Sequence, residues 1–150
     1  MLIPVKLMQA AIFQAQKAYA AYEVPVGAVI SDRNGKIITS SHNQTRSLND
    51  PTAHAEILAI REACQKLKTT NLSNYVIFST LEPCCMCASA IATAKISKIY
   101  FGLYDEKFGG VVNGAQILYK KNAYPKIEIY PEMLSDAARQ LLQNFFADKR

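Results

Sequence analysis

Apolar residues recur at intervals of three and four near the start of the chain, at Val5, Met8, Ile12, Ala15, Tyr19 and Tyr22. This spacing predicts one face of an amphipathic helix. The pattern then changes to two β-rich runs, 27–31 and 36–41, separated by Asp32-Arg33-Asn34-Gly35, whose Asn-Gly pair favours a tight hairpin. The helical interval returns after Asn49-Asp50-Pro51, at Ile57, Ile60, Cys64 and Leu67. Asp50 is placed to cap free amides there, and Pro51 suits the first helical position because it lacks the N–H that would go unpaired. Residues 75–80 read as a buried strand, and Pro83 opens a third helix in which Ala88, Ala90, Ala92 and Ala94 permit close packing. Short strands follow at 98–102 and 127–130, and Leu134, Ala138, Leu141 and Phe145 mark a final helix. Strands alternating with helices predict an α/β layered fold. With no repeat, low-complexity run or linker, residues 1–150 read as one domain.

The chain has 150 residues, enough to bury a core, and its composition of 50% apolar and 19% charged residues excludes intrinsic disorder. A net charge of +5 suits a polyanionic partner without requiring one. The first residues carry no basic segment followed by an apolar run, and no stretch approaches the length of a membrane span. The expectation is a soluble, cytoplasmic protein that engages no membrane. Three of the four cysteines, Cys84, Cys85 and Cys87, crowd together, which is poor spacing for disulfides and good spacing for a metal.

Two clusters carry candidate chemistry: His54-Ala55-Glu56 and Pro83-Cys84-Cys85-Met86-Cys87, each placed in the first turn of a predicted helix. Cys84 and Cys87 lie three apart, so their sulfurs share one helical face, and the amide-rich helix start favours the thiolates that bind metal. His54 supplies a third ligand from the other helix. Cys64 lies ten residues further along, roughly 15 Å down the axis, and Cys85 points about 100° away from Cys84. Neither completes the set, and Cys85 reads as a small core residue. Three protein ligands with an open position describe a catalytic zinc, one per chain, which lowers the pKa of bound water to roughly 7. Glu56 flanks that water as general base and then general acid. Taken singly, His-x-Glu is a common solvated helix start, and Cys-x-x-Cys is equally a redox pair or half a zinc finger. Their combination and order are what point to catalysis.

The H-x-E…P-C-x-x-C pattern resembles the cytidine deaminase superfamily. More of the chain is similar to the bacterial tRNA-specific adenosine deaminases: Glu23-Val24-Pro25-Val26-Gly27-Ala28-Val29, His42-Asn43, residues 50–57, Leu81-Glu82-Pro83-Cys84, residues 101–107, and Phe145-Phe146. The resemblance implies a mixed five-stranded sheet sandwiched by helices in three α/β/α layers, a cytidine deaminase-like fold, assembled as a homodimer. It implies conversion of the wobble adenosine of an arginine tRNA anticodon to inosine, with ammonia released. Glu56 would protonate N1 of the ring while hydroxide adds to C6, then pass a proton to the leaving amine. Asn43 would hydrogen-bond the purine, with Val26 and Leu81 as apolar walls. Asp105 would accept a hydrogen bond from a ribose 2′-OH, and Lys107 would neutralise phosphate.

Plainer readings stand beside these. Asn43 also fits the end of a strand, Val26 and Leu81 an ordinary core, Asp105 a turn cap, and Lys107 a solvated surface. Phe145 or Phe146, next to Lys149 and Arg150, suits stacking on an unpaired base of the anticodon loop, or simple packing. The stretches 108–114 and 44–48 depart from the family pattern, and no binding residue is carried over from either. Two rival functions remain: a free purine base deaminase such as a guanine deaminase, and a noncatalytic zinc-containing module that binds RNA.

Overall fold

The computed structural model of the protein describes residues 2–119, 124 and 126–148; Lys149 and Arg150 lie outside the described residues. The element order is α1 (Leu2–Ala20), β1 (Gly27–Asp32), β2 (Ile37–His42), α2 (Ala55–Leu67), β3 (Tyr75–Leu81), α3 (Cys85–Thr93), β4 (Lys98–Leu103), β5 (Glu128–Tyr130) and α4 (Ser135–Asp148), with a 3-10 turn at Ile117–Tyr119. The five strands make one mixed sheet in the order β2-β1-β3-β4-β5. β1 is antiparallel to both β2 and β3, whereas β3, β4 and β5 run parallel.

Strand alternation sorts the side chains into two cores. Ile30, Ile77 and Ile99 are register partners on one face and pack with Ala55, Ala59 and Ala63 of α2 and with Ala88 and Ile91 of α3. Val29 and Phe78 form the next row, on the opposite face, with Leu7, Met8 and Ala11 of α1. The Phe78 ring stacks on Tyr100, and Tyr100 stacks on Tyr130, along that row. The α4 helix joins α1 on this side, so the predicted three-layer α/β/α sandwich is the observed one. Gly27 is required at the α1–β1 contact: a Cβ there would lie 2.0 Å from the carbonyl oxygen of Ala11. The Asn-Gly hairpin forms as expected, with Gly35 at φ +90 and the amides of Asn34 and Lys36 both donating to Asp32 Oδ1.

Four sequence expectations need correction. Tyr22 does not extend the stripe of α1; it is 79% exposed with φ 61. It sits just past the helix end, where the amides of Tyr22 and Glu23 reach back to the carbonyls of Tyr19 and Ala18 in a Schellman-type cap. That turn delivers Glu23 into the interior. Secondly, α2 starts at Ala55 rather than Pro51, because Asp50 Oδ1 accepts from the amide and hydroxyl of Thr52 in a local turn. Thirdly, Pro83 precedes α3, whose first residue is Cys85. Finally, Cys85 is exposed rather than in the core, because this first helical residue faces outward.

Candidate active site

His54 and Cys84 are the N-cap residues of α2 and α3, both in extended backbone conformation, and neither side chain caps its helix. Ser, Thr, Asp and Asn dominate that position elsewhere because their oxygens accept the free amides. Here the two side chains instead turn toward each other. His54 Nδ1 lies 3.6 Å from Cys84 Sγ and 3.5 Å from Cys87 Sγ. A tetrahedral zinc with ordinary ligand bond lengths sets a nitrogen-to-sulfur separation of about 3.5 Å, so the donor set fits one zinc ion per chain. Among the described residues these three side chains are the group whose donor atoms converge within 4.8 Å. Cys64 is half-buried on α2, and neither it nor Cys85 belongs to the group.

The electrostatics agree with a metal site. The Cys84 thiol is pulled down to about 4, chiefly by its hydrogen bond with Cys87 and then by His54, against the opposing effect of burial. Cys87 is pushed up, by its hydrogen bond with Cys84, by burial and by the nearby charge of Glu56. A bound metal takes both sulfurs as thiolates, so its binding releases protons. The hydrogen bond to Cys84 raises the His54 pKa.

Glu56 is buried in the first turn of α2, with Oε2 accepting from Cys87 Sγ at 3.0 Å and Oε1 accepting from Ser79 Oγ at 2.6 Å. It lies beside the donor group rather than in it. Ser79 fixes the carboxylate, and the Leu81 carbonyl oxygen, 2.8 Å from Ser79 Oγ, is the competing acceptor for its single proton. Sequence reasoning missed Ser79; its signal was the Ser79-Thr80 hydroxyl pair that ends the apolar run of β3.

A cleft of about 940 Å³ opens above these groups, at the upper end of the range for small-molecule sites. It lies where β2, β3 and β4 end and β1 begins. Val26, Asn43, Leu81, Asp105, Lys107 and Phe146 all line it, together with His54, Glu56 and Cys84. Asn43 is buried; Nδ2 donates to the Val24 carbonyl oxygen at 3.3 Å and Oδ1 accepts from the Thr45 amide at 3.4 Å. An amide side chain has a second N–H and a second lone pair for a ligand. Asp105 does cap a turn, with Oδ1 accepting from the amides of Lys107 and Phe108. The Lys107 ammonium lies 5.1 Å from the Phe108 ring centre. The two C-terminal aromatics part company: Phe146 is 61% exposed in the cleft, whereas Phe145 is buried at 5% and meets Tyr19 edge-to-face. Phe145 is thus a packing residue, and of the two rings only Phe146 lines the cleft.

Two buried carboxylates shape the rim. Glu23 accepts from the amides of Arg46 and Ser47 and from the Ser47 hydroxyl. Glu82 accepts from the amides of Asp105, Val111, Val112 and Asn113 and from the Asn113 side chain. Burial alone would raise both pKa values, but these donors hold both below the ordinary carboxylate range. Both residues stand in the segments that carry the family resemblance, yet nothing in the sequence showed which amides they hold.

Fold and donor set together define the class, the zinc-dependent deaminases with a mixed sheet between helix layers. The family described as the cytidine and deoxycytidylate deaminase zinc-binding region matches residues 3–103. The tRNA-specific adenosine deaminase of Rickettsia felis is 44% identical over 93% of this chain and 97% of its own length. A solved structure from studies of A-to-I editing by tRNA:A34 deaminases at the wobble position of transfer RNA has a TM-score of 0.88 and 38% identity, covering 91% of this chain and 99% of that one. A guanine deaminase from Nitrosomonas europaea, 24% identical over 96% of this chain and 85% of that one, shares the fold with a TM-score of 0.85. The chain belongs to the cytidine and deoxycytidylate deaminase family, among the tRNA-specific adenosine deaminases.

Proposed function

We propose that the protein hydrolyses adenosine to inosine at the wobble position of tRNA, in an arginine tRNA anticodon, releasing ammonia. The observation that carries the reading is Glu56, held by Ser79 beside an open-sided His54–Cys84–Cys87 donor set at the floor of a wide cleft. When bound, zinc supplies Lewis acidity and a water that is nucleophilic near neutral pH. Glu56 accepts one proton of the attacking water and delivers it to ring N1 as the C6–O bond forms. It then moves the proton of the new C6 hydroxyl to the amine, and the C6–N bond breaks to release ammonia and leave the C6 carbonyl. Asn43 orients the purine through its spare donor and acceptor, while Val26 and Leu81 contact its faces. Asp105 accepts from a ribose 2′-OH, Lys107 meets phosphate, and Phe146 stacks an unpaired base of the anticodon loop.

The volume and open rim of the cleft favour a loop of RNA over a free base, and so does family membership. The donor set, with three protein ligands, leaves a metal position for water and argues against a noncatalytic module. Residues 1–150 act as one deaminase domain, assembled as a homodimer in the cytoplasm. No described helix is long and apolar enough to cross a membrane. The test compares ammonia release from an anticodon stem-loop carrying adenosine with release from free guanine and free adenine. The reading expects turnover of the stem-loop only; turnover of free guanine with none on RNA overturns it.

A further inference from the structure

Phe108 is 66% exposed, on the stretch that departs from the family pattern, yet it lines the same cleft as the zinc donors. The backbone on both sides of it is fastened. The Phe108 amide donates to Asp105 Oδ1 at 3.0 Å, and the Gly109 amide to the Asp105 carbonyl oxygen at 2.9 Å. Gly109 also pairs with Cys84, and the Gly110 amide donates to the Pro83 carbonyl oxygen at 2.9 Å. Gly110 allows this approach because a Cβ there would lie 2.6 Å from the Cys85 nitrogen. Glu82 then gathers the amides on either side, from Asp105 and from Val111 to Asn113. The ring is therefore carried into the cleft by an anchored backbone while contributing little to the core of this chain.

We infer that Phe108 is a base-stacking residue, whose partner is the unpaired nucleotide adjoining the target adenosine in the RNA. The inference rests on the RNA reading above and names a contact that reading lacks. Every base has a π-face, so an exposed ring on an anchored backbone in the cleft takes an unstacked neighbour with little sequence preference. Lys107 supports that occupant over a peptide or an apolar ligand, because its ammonium beside the ring supplies the positive charge that a nucleotide's phosphate takes up. The backbone on both sides is already fastened, so stacking orders little more than one side chain with two torsions.

The experiment measures affinity and steady-state deamination of an anticodon stem-loop by wild type, Phe108→Ala, Phe108→Leu and Phe108→Trp. Each substrate is made intact and with an abasic site on either side of the target. Phe108→Ala and Phe108→Leu are expected to lose about tenfold in kcat/KM through KM, while Phe108→Trp retains it, all with full zinc and unchanged Tm. An abasic site on one side should cost wild type a similar factor and cost Phe108→Ala nothing further. An unchanged KM in Phe108→Ala, or equal abasic penalties in wild type and variant, overturns the inference. Leu performing as well as Phe does the same, since it keeps apolar bulk without a π-face. If wild type binds the stem-loop but does not deaminate it, the functional reading fails, and the affinities still decide the role of Phe108.

Discussion

At the floor of the cleft, His54 and Cys84 stand at helix N-caps and turn their side chains to one another, leaving the helix amides uncapped by them. At the rim the direction is reversed: Glu23 and Glu82 bury their carboxylates against backbone amides of the segments at 46–47 and 105–113. The floor is made of side chains that do chemistry. The rim is made of backbone that side chains elsewhere hold in place. On the proposed mechanism the reaction dictates the identity of the floor groups, which match the zinc deaminase signature. The rim dictates only shape, so its exposed residues, Lys107, Phe108 and Phe146, are free to fit a particular substrate.

That division predicts that floor variants lose the reaction and rim variants lose the substrate. The largest effect is expected for Cys87→Ala, which should abolish zinc in elemental analysis and with it activity, whereas Cys85→Ala and Cys64→Ala keep both. Zinc loss in Cys85→Ala would mean that the donor set is misassigned. Next comes Glu56→Ala, expected to fold, hold zinc and bind RNA while losing more than the roughly 10²–10⁴-fold usual for proton transfer alone. Near-normal turnover would remove Glu56 from the mechanism.

At the rim, Glu82→Ala strips the acceptor from four amides and one side-chain amide. Unmade buried hydrogen bonds cost about 1–3 kcal/mol each, softened wherever water reaches the loop. Denaturant unfolding should show a loss of about that size, with zinc retained and RNA affinity weakened more than kcat.

Glu23 gives a smaller, pH-dependent signature. Its folded pKa is lowered below 4.5, so the stability it contributes is full above that value and lost as pH falls through the depressed one. Glu23→Gln should therefore be less stable than wild type at pH 7, with the gap closing in acid. A gap that widens on acidification contradicts the clamp.

The smallest change is expected from Asp105→Asn. Asn keeps an Oδ1 for the Lys107 and Phe108 amides and lacks the charged acceptor. Stability should hold while the activity ratio of RNA to single-stranded DNA of the same loop falls a few-fold. An unchanged ratio leaves Asp105 as a turn cap only.

The same contrast explains what could be read from the sequence. His54, Glu56, Cys84 and Cys87 were legible because metal and proton chemistry admit few residue types and fixed spacings. The strands and helices were legible from β-rich runs and helical interval, while the mixed five-stranded sheet came from the family resemblance. The start of α2 was misplaced because Asp50 had two available uses, and the structure puts it on Thr52 rather than on the helix. Phe145 and Phe146 could not be separated, since adjacent helical residues differ only in which neighbours the fold supplies, and Tyr19 comes from the far end of the chain. Glu23 and Glu82 had visible letters and invisible partners, because backbone amides carry no sequence signature.

The central claim is that this floor and rim together deaminate a wobble adenosine in tRNA. Bulk tRNA lacking the modification should be incubated with purified wild type and with Glu56→Ala, then sequenced, with inosine scored as guanosine at every anticodon first position. The account predicts inosine at the wobble position of arginine tRNA with wild type and none with Glu56→Ala. No wobble inosine with a zinc-loaded wild-type enzyme would contradict it.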